Sequence, residues 1–342
     1  MAKKLVQGNE AIAFGAMKAG MKFYAGYPIT PASEVMHTLA KEKELAFIHA
    51  EDEIASIHMC IGASLGGAKS MTATSGPGFS LMQEGIGLGH MIEVPMVIVN
   101  CQRVGPSTGM PTLGAQGDVM QSRWGSHGDY YPIVFYPNSV AESYKYTIEA
   151  FNAAEESLSP VIVLSDTNIS HIYETVDFEE IDKDVKIVDR KLKPIGNGTR
   201  HFTGLTHKGD YPATKETQVH RDMIKNMKEK ITKVAAKYDF YEYIENKSSD
   251  TLLIAYGITS RVILPLKEKY GIFRPIRMFP VLEKELKDAA KNYKNIVVVE
   301  MNDGQYAGEV ERVLKKDVKK IAQLGGTVKL SEIEEGLRDL NL

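Results

Sequence analysis

Apolar residues along the chain fall into two alternating rhythms. Short, mostly apolar runs occur at 21–25, 45–49, 69–74, 94–101, 133–136 and 161–165 and read as strands. Between them apolar residues recur at helical spacing, as in residues 9–20, 32–43 and 139–158. From Glu53 onward the stripe is Ile54, Ile57, Ile61 and Leu65, ended by Gly66-Gly67. Small residues in the first helix (Ala11, Ala13, Gly15, Ala16, Ala19) predict that it lies close to the sheet. Pro31 is expected in the first turn of the helix 32–43, where its missing donor is harmless. Ser139 and Glu142 form a capping-box pair for the helix that runs to 158. Strand–helix alternation at this rhythm predicts a parallel α/β sheet.

The rhythm stops near Ile169. Residues 171–200 are charged and weakly patterned, and 202–217 are rich in Gly, Thr and His. A lysine-rich amphipathic helix follows at 217–238. A second, smaller α/β unit begins at Thr251, with strands at 251–256, 272–278, 295–300 and 319–322, and Ser331 with Glu334 as the cap of the last helix. The expected organisation is a first domain at 1–170, a connection with a long helix at 171–247, and a second domain at 248–342.

Ligands of an open parallel sheet sit beyond the carboxyl ends of its strands. Four segments deliver polar groups there. The loop Gly26-Tyr27-Pro28-Ile29-Thr30-Pro31 is stiffened by two prolines and holds the Thr30 hydroxyl. Glu51-Asp52-Glu53 opens a helix, where acids suit the positive end of the dipole; Glu53 heads the apolar stripe and is the acid expected to face inward, as a proton relay whose pKa burial would raise. Ser75-Gly76-Pro77-Gly78 is a sharp turn, either bare or an anion cradle, without the P-loop or dinucleotide patterns. Arg103 follows a buried strand, either tied to a neighbouring acid or poised for a substrate carboxylate. It opens a loop at 102–131, a length that is often functional.

Composition narrows the classes. Net charge is -3 over 342 residues, which points to neither nucleic acid nor an acidic membrane surface. No apolar run reaches the ~18 residues of a membrane span. The first ten residues carry two lysines with no apolar region behind them, so a cytoplasmic protein is expected. The two cysteines, Cys60 and Cys101, are too few for an iron–sulfur cluster, which needs about four thiolates; both are expected to be buried. His201, His207 and His220 lie too far apart in sequence for a local site, and no metal ligands are expected.

Gly8-Asn9-Glu10-Ala11, Gly26-Tyr27-Pro28-Ile29-Thr30-Pro31, Ala50-Glu51-Asp52-Glu53, Thr74-Ser75-Gly76-Pro77-Gly78 and the segment from Gln102 to Thr112 together resemble the alpha subunit of 2-oxoacid:ferredoxin oxidoreductases, most closely the 2-oxoglutarate branch. Thr203-Gly204-Leu205-Thr206-His207 resembles that family's interdomain segment. The resemblance implies a pyrimidine-binding parallel-sheet domain for thiamine diphosphate and a smaller transketolase-C-terminal-like α/β domain. It implies Glu53 at the cofactor's aminopyrimidine ring, Ser75, Gly76, Pro77 and Gly78 beside that ring, and Thr30 and Arg103 at the substrate. The expected reaction is oxidative decarboxylation of 2-oxoglutarate to succinyl-CoA, with coenzyme A as co-substrate and ferredoxin as acceptor. A branched-chain 2-oxoacid or pyruvate enzyme of the same family is the alternative; a non-catalytic scaffold or a nucleotide-binding protein are alternatives of other classes. Ala32 stands where many members have serine. The chain has no GDG motif, since Gly117-Asp118, Gly128-Asp129 and Gly209-Asp210 are followed by Val119, Tyr130 and Tyr211. Pyrophosphate, Mg2+ and a [4Fe-4S] cluster are therefore expected on a beta subunit, with gamma and delta subunits as further partners.

Overall fold

Strand Met96–Val104 is buried along almost its whole length and apolar through its first four residues, as a strand inside a sheet covered on both faces is. In the computed structural model, which describes residues 3–197 and 201–342, it lies inside a large sheet. Met1 and Ala2 of the N-terminal reading, and 198–200 at the end of the weakly patterned stretch, lie outside the described residues. The sheet runs Arg277–Phe279, Ile133–Phe135, Pro160–Asp166, Met96–Val104, Ser70–Thr74, Phe23–Gly26, Ala46–His49, and Met110–Gly114 pairs with Met96–Val104 off this path. All neighbours on the main path are parallel except Arg277–Phe279, which is antiparallel to Ile133–Phe135.

A second, five-stranded sheet runs Tyr241–Ile244, Gly271–Pro275, Thr251–Ala255, Asn295–Glu300, Lys319–Ala322. Two short pairs complete the strands: Lys4–Gln7 with Tyr173–Val176, and His207–Lys208 with Tyr211–Pro212. The expected class, two parallel α/β units of unequal size, is what the chain forms.

Several local expectations change. The loop at 102–131 contains strand Met110–Gly114 and helix Val119–Trp124. The single run at 272–278 divides: Gly271–Pro275 stays in the small sheet, while Arg277–Phe279 crosses to the edge of the large one. The run 161–165 is therefore not the last strand of the large sheet. Helix Gly8–Lys18 comes close to another helix, Val140–Ser157: a Cβ on Gly15 would lie 2.5 Å from the Tyr144 carbonyl oxygen. Pro31 precedes helix Ser33–Leu39 and lies outside it. Helix Leu330–Asp339 starts before Ser331, so no Ser331 cap forms. Around Val140–Ser157, Ser139 Oγ does accept from the Glu142 N–H, but Glu142 answers to the N–H of Asn138, one residue earlier than a capping box requires.

The connection also has structure. Helix Phe178–Asp184 lies within the weakly patterned stretch, and helix Thr217–Ala235 buries Met227, Ile231, Val234 and Ala235 while its lysines face out. His201 and His207 stack with ring centres 3.9 Å apart, and His220 pairs with Thr206. Among the described residues no group of three or more His, Cys, Asp or Glu is placed to hold a metal ion. Among them, no helix is long and apolar enough to cross a membrane.

A buried polar joint links the two sheets. Asp166 ends strand Pro160–Asp166 and accepts from Ile169 N–H, Tyr136 Oη and the Ile258 N–H at the start of helix Gly257–Val262. Gln116 bonds the Tyr256 carbonyl and the Met301 N–H, and Asn302 donates to the Gln116 carbonyl at 2.7 Å.

Candidate functional site

Four adjacent strands of the large sheet, Met96–Val104, Ser70–Thr74, Phe23–Gly26 and Ala46–His49, end at one rim. Their carboxyl ends carry Arg103, Ser75–Gly78, Thr30 and Glu53 in that order. Parallel pairing brings these residues together from 73 positions apart in sequence.

Glu53 is 5% exposed, whereas Glu51 and Asp52 face solvent. Asp52 is the N-cap of helix Glu53–Leu65, its carboxylate accepting from Ala55 N–H at 2.7 Å. With Asp52 so held, the first helical residue turns inward. The buried stripe is Glu53, Ser56, Ile57, Cys60, Ile61 and Ser64, and Ile54 is 47% exposed. Burial pushes the Glu53 carboxyl above the usual range; Asp52 adds to this, while its own backbone N–H and Arg103 oppose it.

The turn Ser75–Gly78 packs directly on that carboxyl. A Cβ on Gly78 would stand 2.3 Å from Glu53 Oε1 and 2.2 Å from Thr74 Oγ1, so glycine is what leaves room for the acid. Ser75 is the N-cap of helix Gly76–Leu81 without a side-chain cap, and its Oγ is buried with no partner. Pro77 lies in the first turn. Over Gly76 the nearest atom to a built Cβ is Asp118 Oδ2 at 3.6 Å, an ordinary van der Waals contact.

Arg103 is buried and donates to the Thr30 carbonyl at 2.8 Å; its Nε is buried without a partner. Burial disfavours the guanidinium charge, and Asp118 and Glu53 support it. Among the described residues Arg103 forms no ion pair with an acid; its side chain is tied instead to the Thr30 carbonyl. The loop bearing Thr30, whose Thr30–Pro31 peptide is cis, is pinned from below by buried Asn9, which donates to the Pro31 carbonyl at 2.6 Å and to Glu34 at 3.0 Å. Thr30 itself is exposed at the rim.

Beside Arg103 a cleft of about 660 Å³ opens between the two units. Gly76, Pro77, Arg103, Ser107 and Asp118 line one wall; Asn302 and Gln305 line the other. Sequence reading missed Asp118 as a site residue, together with Asn100 and Gln102, which hold it. The available signal was polarity: Asn100 and Gln102 are amides in a buried strand whose first four residues are all apolar. Cys60 and Cys101 are fully buried, as expected, and burial raises both thiols to about 12.

Chemically, the rim offers one buried carboxyl whose pKa burial raises, and one buried cation beside a cleft. Comparison with known proteins agrees with this setting. Residues 14–246 match the model of the pyruvate flavodoxin/ferredoxin oxidoreductase, thiamine diphosphate-binding family, and residues 249–333 match pyruvate:ferredoxin oxidoreductase core domain II. The chain is 42% identical to the 2-oxoglutarate synthase subunit KorA of Methanocaldococcus jannaschii, across 95% of this chain and 96% of that one. It is 34% identical to the ketoisovalerate oxidoreductase subunit VorB of Methanothermobacter marburgensis, across 99% and 98%. Among solved structures, the 2-oxoglutarate:ferredoxin oxidoreductase of Magnetococcus marinus, determined with 2-oxoglutarate, coenzyme A and succinyl-CoA bound, superposes with a TM-score of 0.92 at 30% identity. That match covers 98% of this chain but 65% of the other, so the chain spans about two-thirds of that relative's length. With family models over both units and a relative of 42% identity along nearly its full length, the chain belongs to the pyruvate flavodoxin/ferredoxin oxidoreductase family of 2-oxoacid oxidoreductases.

Proposed function

We propose that the chain is the alpha-type subunit of a 2-oxoglutarate:ferredoxin oxidoreductase, presenting the aminopyrimidine side of a thiamine diphosphate site that a partner subunit completes. One observation carries the reading: a single glutamate, Glu53, is buried at the mouth of the parallel sheet, its carboxyl against Gly78 and facing the Arg103 charge. The reaction would take 2-oxoglutarate, coenzyme A and two oxidised ferredoxins to succinyl-CoA, carbon dioxide, two reduced ferredoxins and one proton.

The donor set fits half of the cofactor. Glu53 can hold a proton at a ring nitrogen, Ser75 has an unpartnered buried hydroxyl, Gly78 leaves room for the Glu53 carboxyl, and Gly76 has no side chain to block a flat ring. When bound, thiamine diphosphate supplies a nucleophilic carbon that accepts the electrons released by decarboxylation. Thr30 and Arg103 would receive the 2-oxoacid carboxylate, Arg103 from the wall of the cleft it lines. The same residues do not fit the other half. Two buried cysteines cannot hold a [4Fe-4S] cluster, and no GDG motif offers pyrophosphate–Mg2+ ligands. A beta subunit would supply those, gamma and delta subunits are further members of the assembly, and its place would be the cytoplasm.

Glu53→Gln or Glu53→Ala in the reconstituted complex should lower kcat by about 10²–10⁴-fold, the usual worth of a positioned proton relay; an unaffected rate would sink the catalytic reading and leave a scaffold. Co-purification on this chain should bring down a partner with iron–sulfur absorbance. The 34% identity to VorB supports a branched-chain 2-oxoacid as the second reading. Rates measured with 2-oxoglutarate, 2-oxoisovalerate and pyruvate separate the two.

A further inference from the structure

Among the described residues four aspartates are helix N-caps, and three of them do what that position asks. Asp52, Asp166 and Asp177 each accept from the backbone N–H three residues on. Asp118, at the head of helix Val119–Trp124, makes no such bond. Its Oδ2 accepts instead from Asn100 Nδ2 at 2.9 Å, and its carboxylate lies beside Gly76 on the wall of the cleft that Arg103 also lines.

The second unit explains the exception. An N-cap side chain normally serves the second or third N–H of its helix. In helix Val119–Trp124 the second belongs to Met120, and it already donates to Gln305 Oε1 at 3.0 Å. Gln305 Nε2 donates to the Gly117 carbonyl at 2.6 Å, so one side chain grips the backbone on both sides of Asp118. Gln305 is free to reach there because its own helix, Gln305–Leu314, starts on Asn302, whose Oδ1 accepts from the Gly304 and Gln305 N–H groups. Upstream, Gln116 is bound by the same unit at every polar group. Its N–H donates to the Met301 carbonyl, its carbonyl accepts from Asn302, and its side chain meets Tyr256 and Met301.

We propose that Gln305 is a positioning residue for the cleft: by taking the Met120 N–H that Asp118 would otherwise cap, it releases the Asp118 carboxylate to Asn100 and the cleft wall. That role rests on the reading of the cleft as the place that receives the 2-oxoacid. The Asn100 donor favours the ionised form of Asp118. An acid held on that wall opposes an anion there and leaves Arg103, on the same wall, as the group to which a carboxylate goes. Without the Gln305 acceptor the Met120 N–H is open, and Asp118 turns back to cap its own helix as the other three aspartates do. Asn100 then loses its partner, and the wall loses its acid.

The test reads Asp118 first without turnover and then with it. In the full chain labelled with ¹⁵N-asparagine, the Asn100 side-chain amide signal is assigned from its loss in Asn100→Ser. It should shift in Asp118→Ala, and shift likewise in Gln305→Met, which keeps the length of the side chain and removes the acceptor. Gln305→Glu keeps the acceptor and should keep the wild-type signal. In the reconstituted complex Gln305→Met should lower the KM for 2-oxoglutarate at least about twofold, the lower end of coupling within one hydrogen-bond network. Asp118→Ala should do the same, and the double variant should go no further. An unmoved Asn100 signal in folded Gln305→Met overturns the proposal. So do additive effects in the double variant, or a KM that is unchanged or raised, the mark of a wall that has only loosened. Gln305→Ala serves identically if Gln305→Met does not fold. A normal rate in Glu53→Gln defeats the functional reading instead, and the amide signal still decides whether Gln305 places Asp118.

Discussion

Gly78 is where one methyl group separates folding from chemistry. Its built Cβ meets Thr74 Oγ1 and Glu53 Oε1, both well inside contact distance. Gly78→Ala should cost about 1–3 kcal/mol of stability, as small overpacking does, and should lower activity further than the folded fraction explains, because Glu53 must move. Thermal unfolding beside kcat measures both. Glu53 carries a pH signature of its own. Its folded pKa is raised, so the folded chain binds a proton that the unfolded chain has released, and stability falls as pH rises from the ordinary carboxylate range through the folded midpoint. Glu53→Gln should therefore raise Tm above that window, by about 1–3 °C, and leave it nearly unchanged below. At this scale Glu53 was legible because it heads a helical stripe. Ile54 was misread for the same reason: with Asp52 as cap, the face rotates to Glu53, Ile57 and Cys60. The Arg103–Thr30 bond was not legible, since it joins backbone and side chain across strands without a local pattern.

Elements hold the rim by contacts from beneath. Asn9 lies at the start of helix Gly8–Lys18 and ties the loop at Pro31 and helix Ser33–Leu39 at Glu34. Asn9→Ala leaves a buried carbonyl unpaired, which should cost about 1–3 kcal/mol, and should raise the KM for the 2-oxoacid as the Thr30 loop loosens. Urea unfolding and steady-state kinetics check the two effects. Strand existence was largely readable, and Lys319–Ala322 and Asn295–Glu300 fell where periodicity put them. The loop at 102–131 was not. Strand Met110–Gly114 has only alternating partial burial, and its pairing with Met96–Val104 is a tertiary choice. Helix Val119–Trp124 has six residues, too few for a period to declare itself.

For the molecule as a whole, the joint between sheets and the acid response are the testable properties. Asp166→Ala removes the acceptor of three donors, Ile169 N–H, Ile258 N–H and Tyr136 Oη, and should cost about 1–3 kcal/mol or more, as leaving buried donors unpaired does; calorimetry would show it. His90 is buried with neither ring nitrogen bonded, and burial, then Lys230 and Arg123, lower its pKa from 6.5 to about 3. The unfolded chain takes up a proton there first, so stability is lost as pH falls from 6.5 toward 3, by up to about 1.4 kcal/mol per pH unit. His90→Phe should flatten that slope in acid-unfolding curves. None of this was visible in sequence, because burial of one histidine depends on packing from distant segments.

The crossing strand Arg277–Phe279 has a practical corollary for anyone dividing the chain. A fragment ending near residue 247 would keep the large sheet's helices but lose its covering edge, baring the backbone of Ile133–Phe135, three apolar buried residues. An open, apolar edge is a template for self-association. Such a fragment should come out of expression as aggregate, and adding the missing peptide in trans should recover soluble material. The folding unit is longer than either sheet.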